Sequence, residues 1–136
     1  MKILALDLGD RWIGTALSDS SCILARPYKT VERKEFIPFL EKLLQEEPIS
    51  EIVVGNPKTL RGTNSQQTEK ILEDKEALEE QFTSVTWILW DERLTSKQAA
   101  SLNTTKDKTL IHSIAAALIL DSYLTYKGFC KGLHSD

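Results

Sequence analysis

Residues 2–18 read KILALDLGDRWIGTALS, and the fold turns on how this stretch is read. Period-2 alternation places Leu4, Leu6 and Leu8 on one side of a strand and Ile3, Ala5 and Asp7 on the other. Both sides are apolar up to Asp7, so the strand is expected at the centre of a sheet covered on both faces. Gly-Asp-Arg at 9–11 makes a tight turn, with Gly9 able to supply a positive φ, and WIGTALSD returns as the second strand of a hairpin. A carboxylate in such a central strand is costly unless something pairs with it. Asp7 either caps amides of the following turn or serves a ligand for which Gly9 leaves room.

Outward from this hairpin, ILARPYKTV reads as a third strand, placed at an edge by Pro27. SEIVVGNP and VTWILWDE are short β-branched and aromatic runs ending in polar residues, two further strands. Between them, residues 35–46 put Phe36, Phe39, Leu40, Leu43 and Leu44 on one helical face. Residues 65–82 do the same with Ile71, Leu72, Leu78 and Phe82, entered by a capping box of Asn64 and Gln67. TSKQ at 95–98 has the same spacing before a short helix, and a last helix is expected over about 109–126. The order β-β-β-α-β-α-β-α-α predicts an α/β domain: a five-stranded mixed sheet with helices on both faces. It spans 1–128, with 129–136 as a loose tail.

The chain has 136 residues and 41% hydrophobic content, enough for one core. No apolar run reaches the ~20 residues needed to span a bilayer. MKILALDLGD is not followed by a small-residue cleavage site and does not read as a secretion signal. Cys22 and Cys130 are the two cysteines, with no CxxC partner, so neither a zinc site nor a disulfide framework is suggested and a reduced cytoplasmic compartment is expected. A net charge of −3 argues against coating nucleic acid by bulk charge but leaves room for a local basic groove. Arg26, Lys29, Arg33 and Lys34 form one basic cluster, Lys58 and Arg61 a second, Lys106 and Lys108 a third. Each also fits ordinary solvated surface charge.

WDERLTS places Asp91 and Glu92, then Arg93, at the end of a strong strand. Ligands of such sheets gather beyond the carboxyl ends of the strands. Two acids there and a third on a central strand suit a hydrated divalent cation that also binds phosphate oxygens. Two such ions could activate water and stabilise a leaving oxygen in phosphodiester cleavage. The competing reading is a surface pair of Asp91 with Arg93 beside a solvated Glu92. VVGNPKTLRGT at 53–63 runs from a strand into a loop that can bring Lys58 and Arg61 to a phosphate.

DLGDRWIGTALSD (7–19), VVGNPKTLRGT (53–63), DERLTS (91–96) and SIAAALILDSYL (113–124) together resemble the YqgF family of RuvX-like Holliday junction resolvases or pre-16S rRNA nucleases. The resemblance covers essentially the whole chain. It implies a ribonuclease H-like fold with a metal-dependent phosphodiesterase site using Mg²⁺ or Mn²⁺. It further implies a cytoplasmic protein that matures the 5′ end of 16S rRNA, with branched DNA as the alternative substrate. By position, Asp7 matches the carboxylate of the first strand and Glu92 the acid after the fifth, with Asp91 its neighbour. Arg11, Lys58, Arg61 and Arg93 would hold the phosphate backbone.

The chain departs from the family pattern at three places. Trp12 stands where the family usually has arginine, and the basic loop before the last helix is reduced to NTTKDK. His112 stands where an aspartate usually precedes SIAA. Asp121 is on the opposite helical face, about 900° of rotation on at ~100° per residue, and Asp107 precedes the helix, so neither replaces the missing acid directly. His112 could itself ligate a metal beside Asp7 and Glu92, kept neutral by the helix dipole, or act as general acid or base. It could equally be a hydrogen-bonded histidine in a site that no longer cuts. The function readings are then a nuclease, an RNA-binding assembly factor without catalysis, and a DNA junction resolvase, for which a two-fold homodimer is expected.

Overall fold

The computed structural model describes residues 1–9, 11–56, 66–91 and 108–134, with backbone alone at 66–68, 91, 108–109 and 129–134. Five strands form one sheet: β1 Lys2–Leu8, β2 Trp12–Ser18, β3 Ala25–Glu32, β4 Ile49–Asn56 and β5 Thr86–Asp91. Among the described residues three α-helices accompany it: α1 Phe36–Glu46, α2 Gln66–Gln81 and α3 Lys108–His134. The strand order is β3-β2-β1-β4-β5, so β1 is central and β3, with Pro27, lies at an edge. β1, β2 and β3 are antiparallel neighbours, while β4 and β5 run parallel to β1. A mixed sheet in this order, with helices on both faces, is the ribonuclease H-like arrangement.

The alternation read along β1 divides the core in two. Leu4, Leu6 and Leu8 join Ile52 and Val54 of β4 under Phe36, Leu40 and Leu43 of α1 and Ile71 and Leu78 of α2. Ile3 and Ala5 join Ala16 of β2 and Val53 of β4 under Ala116, Ile119, Leu120 and Leu124 of α3. Trp87 and Leu89 of β5 face the first cluster, Ile88 and Trp90 the second. Leu72 is exposed, unlike the sequence expectation. It lies one residue, about 100°, off the Ile71–Leu78 stripe by which α2 meets the sheet.

Small residues set how closely α3 lies on the sheet. Ala5 pairs with Ala16 and Asp7 with Gly14 across the β1–β2 ladder. A Cβ on Gly14 would lie 2.0 Å from the His112 carbonyl oxygen and 2.7 Å from the Ser113 nitrogen. The first turns of α3 therefore rest directly on the β2 backbone, which any side chain there would push away. Gly9 is needed for the same reason and not, as the turn chemistry suggested, for a positive φ. Its Cβ would meet the Trp12 carbonyl oxygen at 2.5 Å.

Register slips between Gly14 and Ala16 opposite β3. There the Thr15 hydroxyl accepts from the Lys29 amide at 3.0 Å and donates to the Lys29 carbonyl at 2.5 Å. The side chain so satisfies backbone groups that the slipped ladder leaves over. α3 runs to His134, past residue 128, where the sequence reading begins a loose tail. The segment contains no proline, and a Cβ on Gly128 would meet nothing within 4 Å. Asn64, the cap expected for α2, and the capping box at 95–98 with the short helix expected after it lie outside the described residues.

Candidate active site at the carboxyl end of the central strand

Asp7 continues the side of β1 that faces α3, one position beyond the buried Ala5. α3 places His112 over it, with Nδ1 3.2 Å from Asp7 Oδ2. An ionised carboxylate only accepts, so Nδ1 carries the proton and donates, leaving Nε2 as the ring's remaining nitrogen. The two side chains are 31% and 24% exposed, open enough for a ligand and closed enough for their charges to matter. Gly9 completes the setting, since a Cβ there would lie 3.2 Å from His112 Cε1. Among the described residues, the partner shown for Asp7 is thus the histidine of a distant helix.

The pair shifts the histidine in the direction opposite to the sequence expectation. The hydrogen bond to Asp7 raises the His112 pKa above its ordinary value, burial opposes this, and the charge of Asp7 adds to the rise. The contact with Asp7, not the helix dipole, therefore sets the direction of the shift. His112 is the fifth residue of α3, beyond the first turn where the dipole is felt, and it touches a carboxylate.

The turn beyond Asp7 is fastened by Arg33, which sequence reading could only place in a basic cluster. Its Nε and Nη2 donate to the Gly9 carbonyl at 3.2 and 2.9 Å, and Nη2 lies 2.7 Å from Asp74 Oδ2 of α2. Its backbone nitrogen also donates to the Arg11 carbonyl, at 2.9 Å. Arg33 is a strap between α2 and the β1–β2 turn rather than a solvated charge. Arg11, expected to hold phosphate, is exposed at that turn, with its Cζ 5.4 Å from the centroid of the Trp12 ring.

Of the other candidate residues, Asp91 ends β5 opposite Asn56 in the backbone ladder. Its side chain, and Glu92, Arg93, Lys58 and Arg61 entirely, lie outside the described residues. Among the described residues no group of three or more His, Cys, Asp or Glu could hold a metal ion, and Asp7 with His112 is the acid–imidazole pair brought together. Asn56, which sequence reading passed over, is buried at the end of β4, and among the described residues its Oδ1 accepts no hydrogen bond. It shares the parity of Ile52 and Val54 and so belongs to the face away from Asp7. Among the described residues, no helix is long and apolar enough to cross a membrane.

The sequence model of the family described as "RuvX: Holliday junction resolvase" matches residues 1–126. A protein of Thermoanaerobacter pseudethanolicus named "Putative pre-16S rRNA nuclease" is 38% identical over 134 residues, 91% of this chain and 96% of its own. One of the same name from Rubrobacter xylanophilus is 35% identical over 131 residues, 93% and 94% of the two chains. Among solved structures, T. thermophilus RuvC in complex with Holliday junction substrate matches with a TM-score of 0.59 at 11% identity, over 93% of this chain and 96% of that one. Fowlpox virus resolvase in complex with substrate Holliday junction DNA matches with a TM-score of 0.52 at 14% identity, over 93% and 98%. Likeness at such identities carries the fold alone. The sequence matches carry more, and with them the chain belongs to the RuvX family of nucleic-acid-processing nucleases, the family its motifs resembled.

Proposed function

We propose that this protein cleaves a phosphodiester bond of pre-16S rRNA, at the 5′ end of the mature sequence, using a divalent ion held by Asp7, Glu92 and His112. The observation that carries the reading is the Asp7–His112 contact at the carboxyl end of the central strand. A carboxylate with an imidazole suits Mn²⁺ better than Mg²⁺. When bound, such an ion supplies Lewis-acid stabilisation of the phosphate and a more acidic water.

The chain's own residues supply the rest. β1 fixes Asp7, and the Gly9 and Gly14 contacts fix His112 relative to it. Because Nδ1 is engaged with Asp7, Nε2 is the ring atom left to ligate or to pass a proton to a leaving oxygen. A raised pKa makes the proton-carrying role workable near neutral pH. Asp91 would assist, and Arg11, Lys58, Arg61 and Arg93 would neutralise phosphates. The same contact also supports a second reading. A carboxylate already satisfied by a histidine is what a ribosome-assembly factor that binds RNA without cutting it would retain.

The test is cleavage of a 16S rRNA precursor fragment and of a four-way DNA junction by the purified protein in Mg²⁺, Mn²⁺ or EDTA, with Asp7→Asn beside it. Metal-dependent RNA cutting, stronger in Mn²⁺ and lost in the variant, is expected. RNA binding with no cutting in either metal would replace the nuclease by the assembly factor. Cutting of the junction alone would make DNA the substrate.

A further inference from the structure

We propose that Trp12, with the Arg11 guanidinium over its ring, is a stacking platform for an unpaired base beside Asp7 and His112, so that the site takes single-stranded rather than duplex nucleic acid. The inference rests on the site reading above and adds the form of substrate the site accepts.

Trp12 opens β2 on the same side as Gly14, the residue on which the His112 backbone rests. Across the turn, Gly9 donates its amide to the Trp12 carbonyl at 3.0 Å. The point where a Gly9 Cβ would sit is 2.5 Å from that carbonyl and 3.2 Å from the His112 ring. Trp12 is therefore built into the rim of the site. It is held at its backbone by Gly9 and by pairing with Glu32 of β3, while its side chain remains only partly buried.

The charges nearby sort themselves. Arg33 is committed to Gly9 and Asp74, and Lys34 meets Glu32 at 3.4 Å. The exposed Arg11 lies over the Trp12 ring instead. An aromatic ring and a guanidinium are the two side-chain groups on which splayed-out bases stack. Every base has a π-face, so such a platform tolerates sequence. The cation beside it can meet the phosphate of the stacked nucleotide. A base within a duplex is already stacked on its neighbours and gains nothing from the ring.

The test is a titration of the whole protein in EDTA, where no metal-dependent cut is possible, with an end-labelled RNA strand of about 10 nucleotides and with the same strand in duplex, affinity being read from the anisotropy of the label and contact with Trp12 from tryptophan emission. Trp87 is buried and Trp90 lies between Tyr123 and Tyr126, so a quench that disappears in Trp12→Phe reports on Trp12. The single strand is expected to quench emission and to bind at least about tenfold more tightly than the duplex. Trp12→Ala should bind it about ten- to a hundredfold more weakly, with Trp12→Phe retaining most of the affinity. Arg11→Ala, at an exposed position, should weaken binding and lower the salt dependence by about one phosphate contact.

Equal affinity for strand and duplex, or unchanged strand binding in a folded Trp12→Ala and in Arg11→Ala, would overturn the proposal. Cleavage by the wild type is read separately in Mn²⁺. Cutting without a Trp12 effect sinks the platform and spares the nuclease. A Trp12 effect without cutting does the reverse.

Discussion

His112 owes its titration to one neighbour. Its pKa is raised by the bond to Asp7, so the pair's contribution to stability is fully present below the unfolded histidine value of about 6.5 while Asp7 is ionised, and is lost as pH rises through the higher folded value. The stability gap between wild type and His112→Gln should be widest below about pH 6.5 and should close toward alkaline pH. Urea melts at a series of pH values check this, and a gap that widened with pH would refute it. In Asp7→Asn the charge and the strong acceptor are gone while burial remains, so the His112 midpoint should fall to about 6.5 or below. The chain has two histidines, so proton NMR can follow the midpoint once His112→Gln assigns the signal. Both candidate residues were legible in the sequence, Asp7 because a carboxylate interrupts an apolar strand and His112 because it stands where the family its motifs resemble usually has an aspartate. The sign of the histidine's shift was not, since it depends on an oxygen that the chain brings near only by folding.

At the scale of elements, the contact between α3 and the hairpin decides whether a site exists. Gly14→Ala would place a methyl group 2.0 Å from the His112 carbonyl oxygen, a backbone atom that cannot rotate aside. The first turns of α3 must lift, at a cost of at least about 1–3 kcal/mol, the usual range for overpacking. The expected signature is a lowered melting midpoint together with loss of the Asp7 effect on His112 titration; an unchanged midpoint would show that α3 sits farther out. The sequence showed Gly14 only as one residue of a strand, because nothing local distinguishes a glycine that accommodates a distant helix from an incidental one. Arg33 posed the same difficulty, for its roles toward Gly9 and Asp74 belong to segments far apart in sequence. The bounds of β1 and β2, by contrast, follow from alternation and turn chemistry that lie within a few residues.

Over the whole molecule, β1 belongs to both cores, with Leu4 and Leu6 in one and Ile3 and Ala5 in the other. Neither face can lose its helices without exposing a strand that the other face needs, so the protein should unfold in a single transition. Leu6→Ala and Ile119→Ala sit on opposite faces and are both fully buried. Each should cost about 2–5 kcal/mol and shift the same transition, whether it is followed by the near-ultraviolet signal or by backbone ellipticity. Two separated transitions in either variant would mean that the faces melt independently.

The amino-acid sequence by itself determined the five strands and three α-helices seen among the described residues, the central place of β1, the edge place of β3 and the candidacy of Asp7 and His112. The elements and Asp7 follow from periodicity and chemistry within short windows, and His112 from the resemblance of the surrounding motifs to the family. Only the tertiary structure decided that Asp7 and His112 touch, that Gly9 and Gly14 are spaces for other backbone, that Arg33 is a strap and that Trp12 stands at the rim. Those are statements about distances between segments remote in the chain, and such distances come into being when the sheet order β3-β2-β1-β4-β5 and the docking of α3 are set together.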